Sequence, residues 1–522
     1  MYAPINGIRT WAYRDIYPGT QFGMVDSNGI PKMNYYFYKR AQERLALSFA
    51  YESALESQVS GKRLQIPAWI ANEYRHEASL DVRCEILTPK GEVVWGKSFQ
   101  ATVPGDASKL VGTVDWVTPD APGVYILRGR AGERGGDLAT TNTTYVKVAP
   151  RVFAKAHRVL LIGWSQFTRP IASMLEAMGA TVDGVNEALL DRLTELRSPD
   201  AIRQKYDVIW LAPLDHFWKL VDSRLGDALV SGVGQGVGFI HSGGNAAFHG
   251  GAAVPACLEL TRLAELLPIK LRTENEDVVY PAYEAGQELP LALGRIKDIQ
   301  VTDVAWTDAG LREFGIPGFN MVDRAPEGKV VMTVDGRPLL ITGQYGQGRT
   351  VAFTGFTPSW ESLGADFLDE QFVNIPATRA YFGIFAQMLA AATGDHPLTG
   401  YAEVLAAREK PLFQMLKELA PARLEAGRTI ETKATGGRAK IMVDLRNVAS
   451  YARLVRLRAE WEGLEPYMSL YADNYFDLLP GEPRAISVEL AFPENITRPV
   501  RGRLIVEGSN VAPSEIPITV NP

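Results

Sequence analysis

The residues best suited to covalent chemistry are Ile240-His241-Ser242-Gly243-Gly244, where an apolar run ends in a glycine turn. A serine at such a strand-to-helix elbow, beside an imidazole base that an acid orients, has the composition of a nucleophilic site. His241, His249 and Glu361 are the candidates for base and orienting acid. The plainer reading is that small residues let the turn pack tightly, and the sequence favours it. Cys84 and Cys257 lie far apart among apolar residues, so they read as core thiols rather than a disulfide or metal pair. The six histidines include no H-x-x-x-H spacing and the cysteines no C-x-x-C, so no metal site is expected. The glycines of "GQGVGFIHSGG" and "GQYGQGR" form neither a Gly-Lys-Ser/Thr loop nor a G-x-G-x-x-G after the first strand, so no nucleotide or other cofactor is expected.

Composition narrows the field. The 522 residues suffice for three or four domains at roughly 150 residues each. With 46% apolar and 22% charged residues, an ordinary globular protein is expected. A formal charge of −6, from 54 basic and 60 acidic residues, gives no electrostatic ground for a nucleic-acid or anionic-membrane partner. No apolar run reaches the about 18 residues of a membrane span. Arg9, Arg14 and Asp15 interrupt any secretory h-region near Met1, and localisation stays open. The sequons at Asn142 and Asn495 acquire meaning only in a secretory context.

The elements that must position the elbow follow from periodicity. Residues 1–48 read as a strand, a loop with a Pro-Gly turn, and a helix starting near Pro31. Residues 49–150 alternate with period two through about seven short strands, as in an immunoglobulin-like sandwich. Residues 151–398 switch to alternating strands and helices. Apolar runs such as "HRVLLIGW" mark strands buried on both faces, so a doubly wound parallel sheet is expected. A hairpin turning at Asp335-Gly336 and a long helix near "ATRAYFGIFAQMLAAATG" complete that segment. Residues 399–522 hold a connector helix, "EKPLFQMLKELA", and a second sandwich.

The opening stretch resembles the last β/α unit of the catalytic barrel in glycoside hydrolase family 2, in the exo-β-mannosidase and exo-β-glucosaminidase branch. The counterpart residues are Gly23-Met24-Val25-Asp26, Pro31-Lys32-Met33-Asn34-Tyr35-Tyr36 and Tyr38-Lys39-Arg40-Ala41. "SLYADNYFDLLPGEPRAISV", residues 469–488, is similar to a strand pair in the C-terminal sandwich of the same enzymes, and the first sandwich is similar to the one that follows their barrel. The middle segment resembles class I glutamine amidotransferase-like domains, through "GQYGQGRTVAFTGFTPSW" and "GVGFIHSGGNAAFHG". The implied fold is multidomain, α/β plus all-β. A doubly wound, flavodoxin-like domain lies between two immunoglobulin-like sandwiches, preceded by the eighth part of a (β/α)8 barrel.

A retaining glycosidase needs two carboxylates about 5–5.5 Å apart. The resemblance implies that both catalytic glutamates lie on barrel strands upstream of the unit present here. Asn72-Glu73 and Asn186-Glu187 are local Asn-Glu pairs that could substitute, and neither is expected to serve. By resemblance, Trp11 would form a platform for a sugar ring, with Arg14 and Asp15 in the loop after it; the plainer role for Trp11 is packing. An amidotransferase would carry cysteine at the elbow, where this chain has Ser242 or Gly243, so glutaminase activity is not expected. The expected role is therefore structural or at the rim of an active site, with carbohydrate as the parent enzyme's ligand and a second copy or a barrel-bearing chain as partner. The alternatives are a stand-alone carbohydrate-binding or assembly protein, and a hydrolase acting through Ser242. The helix after Pro31 is expected to dock on the first sandwich.

Overall fold

The computed structural model describes residues 14–15, 23–26, 30–51, 57–163, 165–186, 194–213, 223–244, 247–248, 258, 261–271, 278–279, 296–316, 318–357, 376–397, 400–431, 434–464, 466–492 and 496–522. It is a multidomain fold in which β-structure predominates.

The first helix among the described residues is α1 (Met33–Ala41). Period-two alternation then builds a two-sheet sandwich, because each strand buries alternate side chains on one face. One sheet has the order β1 (Leu45–Phe49), β3 (Arg63–Asn72), β6 (Ala107–Val117). The other runs β2 (Ser57–Val59), β8 (Ala139–Ala149), β7 (Gly123–Glu133), β4 (Ala78–Leu87), β5 (Val93–Val103). β1 already belongs to this sandwich, so it spans the boundary expected at residue 48.

The middle segment holds a parallel sheet formed by β9 (Arg158–Gly163), β10 (Thr181–Asn186), β11 (Val208–Leu211), β12 (Gly238–Gly243) and, later in the chain, β20 (Gly348–Phe356). Their order, β10-β9-β11-β12-β20, is the 2-1-3-4-5 of one doubly wound class. Helices α2 (Ser165–Ala177), α3 (Pro199–Lys205) and α4 (Ser223–Gly234) alternate with the strands. The short pairs β13 (Ile269–Lys270) with β17 (Asp323–Arg324) and β14 (Val278–Val279) with β16 (Phe319–Asn320) decorate it. β15 (Ile299–Val301), β18 (Lys329–Val334) and β19 (Arg337–Tyr345) extend the sheet antiparallel beyond β20. Trp210, Ile240 and Phe385, from the helix Pro376–Thr393, join the core on one face; Ile209, Phe239 and Leu229 join that on the other.

The connector is two short helices, Tyr401–Glu409 and Leu412–Lys417, rather than one. Lys410 precedes proline and is extended (φ −62°, ψ 113°), as the following Pro411 ring requires. Both helices lie on the first sandwich: Leu412 and Leu416 pack on Val124, and Lys147 Nζ, almost fully buried, donates to Arg408 O (2.6 Å). The C-terminal sandwich stacks β21 (Leu424–Glu431), β22 (Arg438–Asn447), β26 (Pro483–Ala491) and β24 (Met468–Tyr471) over β25 (Phe476–Leu478), β23 (Ala452–Glu462), β27 (Val500–Gly508) and β28 (Val511–Val520).

Helix α1 docks on this C-terminal sandwich, not on the first one as the sequence suggests. Tyr36, 1% exposed, belongs to its core, with Tyr475 5.9 Å away ring to ring. Sequence adjacency to the first sandwich is overridden by a tyrosine that finds an apolar socket some 440 residues further on.

Candidate functional site

The elbow after β12 is closed by its own packing. Adjacent strand residues point to opposite faces, so His241 and Ser242 cannot face each other. Ser242, fully buried, accepts a hydrogen bond from Trp210 Nε1 (3.2 Å) on one face. On the other face His241, also fully buried, sets Nδ1 3.0 Å from Leu211 O and Nε2 2.9 Å from Ala247 O, with the Phe248 ring 4.4 Å away. Burial pushes the imidazole pKa down to about 4, against the upward pull of the two carbonyls. The ring is therefore neutral at pH 7, with one N–H for two carbonyls, so one oxygen meets a nitrogen lone pair.

The glycines are there for contact. A Cβ on Gly243 would stand 2.3 Å from Thr354 O, and one on Gly244 would stand 2.6 Å from Pro213 Cγ. The fully buried Asn320 takes up both backbone groups of Gly244: Oδ1 accepts from its N–H and Nδ2 donates to its carbonyl, each at 3.1 Å. Thr357 donates its hydroxyl to Gly243 O (3.3 Å). The amide that could stabilise an oxyanion at this turn is thus engaged internally. His249 and Glu361 lie outside the described residues, as does Cys257. Cys84 is buried in the first sandwich, and burial raises its pKa to about 11.

The opening loop is built around Asp15. Its carboxylate, 2% exposed, pairs with Lys32 at the foot of α1 and accepts from Gly23 N (2.8 Å). Its backbone N–H donates to Val25 O (2.9 Å), and a Cβ on Gly23 would fall 2.4 Å from Asp15 Oδ1. Asp15 therefore closes the loop. Arg14 is exposed and bridges Val25 through its backbone; Trp11 lies outside the described residues.

Asn72-Glu73 lies apart from both places. Asn72, buried at the end of β3, donates through Nδ2 to His76 O, Val103 O and Pro104 O at 3.0–3.1 Å, with Glu73 exposed beside it. Asn186 ends β10, and Glu187 lies outside the described residues.

A dense polar constellation among the described residues is one that the sequence marked only as a likeness: Asp473 to Glu482. Arg40 of α1 reaches Asp473 Oδ1 (2.8 Å), Asn474 O (3.2 Å) and Tyr475 O (3.1 Å), and Lys39 reaches Ala472 O (2.5 Å). Arg484 pairs with the other oxygen of Asp473. Asp477 accepts from Leu454 N (2.8 Å) and from the hydroxyls of Tyr451 (2.5 Å) and Tyr145 (3.1 Å), the latter from the first sandwich. Burial, then the Asp477 charge, pushes both tyrosine pKa values well up. Glu482 takes a bidentate pair from Arg128 of the first sandwich (2.6 and 2.7 Å). Burial raises the Glu482 pKa, but Arg128 and the Leu479 amide outweigh it and hold the carboxyl below its usual value. Within ten residues, the segment around β25 that crosses between the two sheets grips α1 on one side and the first sandwich on the other. The signal was available in the sequence: Asp473, Asn474, Asp477 and Glu482 punctuate an otherwise largely apolar stretch.

No family model matches the chain, and no curated protein matches it either. Among solved structures, cytoplasmic protein STM1381 from Salmonella typhimurium LT2 is 18% identical, with a TM-score of 0.34 over 44% of this chain and 99% of its own. Exo-chitosanase CsxA from Amycolatopsis orientalis is 9% identical, with a TM-score of 0.18 over 91% of this chain and 79% of its own. Likenesses this remote leave the chemistry to be argued from the residues.

Proposed function

We propose that this chain is a non-catalytic, load-transmitting part of a family-2-like glycoside hydrolase, holding the last helix of a catalytic barrel against paired sandwiches. One observation carries the reading. The two stretches that resemble that family, residues 23–41 and 469–488, grip one another through Arg40 and Asp473, which lie 433 positions apart. Asp15, Gly23 and Lys32 fit the same role, since they fix the loop that enters the helix. In this reading the middle domain is amidotransferase-like but serves assembly. The closure of its elbow by Asn320 and Thr357 supports that use, and a hydrolase acting through Ser242 draws no support from an hydroxyl bound to Trp210. The test is turnover of aryl β-mannoside, β-glucosaminide and β-galactoside by the purified chain. None is expected; clear turnover would overturn the proposal, and its loss in Ser242→Ala would assign it to the elbow.

A further inference from the structure

The parallel sheet ends in an open edge. β10 heads the strand order, and among the described residues no strand pairs with its outer side. Thr181 donates its N–H to His157 O (2.8 Å) on the β9 side. Alternation then turns the backbone N–H and C=O of Val182 and Gly184 outward, where no hydrogen bond from a described residue reaches them. A cleft lies on each face of this edge. The first, of about 480 Å³, is lined by Arg158, Asp183, Gln204, Lys205 and Tyr206. The second, of about 340 Å³, opens between the first sandwich and α2, and is lined by Lys62, Arg63, Arg151 and Glu176.

We propose that β10 is a docking edge for an extended acidic peptide, which adds one strand to the sheet and sends alternate side chains into the two clefts. Backbone pairing supplies the attachment and the clefts supply selectivity. Charge decides what enters where. In the first cleft Asp183 is paired with Lys205 (3.0 Å) and bonded by Tyr206 (2.8 Å), and Arg158 is tied to Asp207 (3.2 Å), a balanced rim that suits an uncharged side chain. In the second, three cations face one carboxylate. Arg63 is held by Asp115 and Arg151 by the exposed Asp120, while Lys62 forms no ion pair among the described residues. An aspartate or glutamate entering there meets Lys62 and Arg151. A second copy of this chain, offering its own β10, would bring Val182 and Gly184 to that cleft and no carboxylate, so it complements the site less well. The edge strand β28 is guarded by Pro513 and Pro517, and the edge strand β5 by Lys97, whereas β10 has no proline.

The experiment pans a display library of random octapeptides against the immobilised full chain. Recovered peptides are then measured by fluorescence anisotropy against wild type, Lys62→Glu and Gly184→Pro. A Cβ at Gly184 meets nothing within 4 Å, and its outward N–H is not in the β9 ladder, so proline removes a docking donor from the edge alone. The expected result is a shared acidic residue among recovered peptides, with affinity lost roughly tenfold or more in Lys62→Glu. Gly184→Pro should abolish binding with the melting temperature retained. If that variant misfolds, N-methylation of alternate peptide amides replaces it: one phase should block binding and the other should not. Failure to enrich any peptide, or affinities unchanged by Lys62→Glu and by both methylation phases, overturns the proposal. Concentration-dependent dimerisation lost in Gly184→Pro would assign the edge to a second copy and also overturn it.

Discussion

Replacing Glu482 by leucine should loosen the junction of the two sandwiches far more than its place on a surface turn suggests. The Arg128 side chain is 6% exposed and that of Glu482 17%, and two short hydrogen bonds join them. Glu482→Leu leaves a buried guanidinium without its carboxylate, a change that costs about 3–5 kcal/mol. Arg128→Met should cost less, about 2 kcal/mol, because the stranded carboxylate keeps the Leu479 amide and the nearby Arg130. The double variant buries an apolar pair, an exchange that is often close to neutral. The expected coupling, close to the sum of the two single costs when the double is near neutral, is therefore about 5–7 kcal/mol. For a unit of roughly 200 residues, the Glu482→Leu loss corresponds to a fall in melting temperature on the order of 10 °C. Differential scanning calorimetry of the four proteins reads this directly. Additive effects, with the double variant the least stable of the four, would refute the reasoning.

Three further outcomes follow from the same geometry. His241 has a folded pKa of about 4 against about 6.5 unfolded, so it contributes stability above pH 6.5 that is lost as pH falls toward 4, roughly 3 kcal/mol in all; His241→Gln should flatten the melting profile across that window, and a slope parallel to wild type would contradict the burial argument. Ser242→Ala leaves the Trp210 indole N–H without its acceptor in the core and should cost about 1–3 kcal/mol, with a shift in tryptophan emission; an unchanged spectrum and stability would contradict the contact. Gly243→Ala drives a Cβ toward Thr354 O at 2.3 Å, between backbones that cannot retreat, and should cost about 1–3 kcal/mol in denaturant titrations; a neutral result would mean that the turn has slack.

Much of the architecture was legible because it rests on period. "HRVLLIGW" and "YDVIWLAP" announce strands buried on both faces, and Asp335-Gly336 announces a hairpin whose two turn residues both take positive φ (47° and 70°). The tight role of Gly243 and Gly244 was likewise readable from residue size alone. What escaped the sequence is long-range partner choice. Nothing local to Tyr36 or Arg40 says that they belong with residues 471–475 rather than with the adjacent sandwich, since apolar burial is non-directional and two of the three guanidinium acceptors are backbone carbonyls with no residue-type signature. Asp15 is ambiguous for a related reason: a carboxylate in a loop reads the same whether it faces a sugar or a Lys32 ammonium. The connector divided at Lys410 because a single proline outweighs the apolar spacing around it.

Native-state hydrogen exchange on helix α1 tests the central claim most directly. If α1 is a structural part of the C-terminal sandwich, its amides should exchange at the rate of β23 and β26. Asp473→Ala, which removes the side-chain anchor of Arg40, should speed α1 while sparing the first sandwich. Exchange of α1 at the rate of an isolated nine-residue helix in the wild-type protein, or protection untouched by Asp473→Ala, would contradict it.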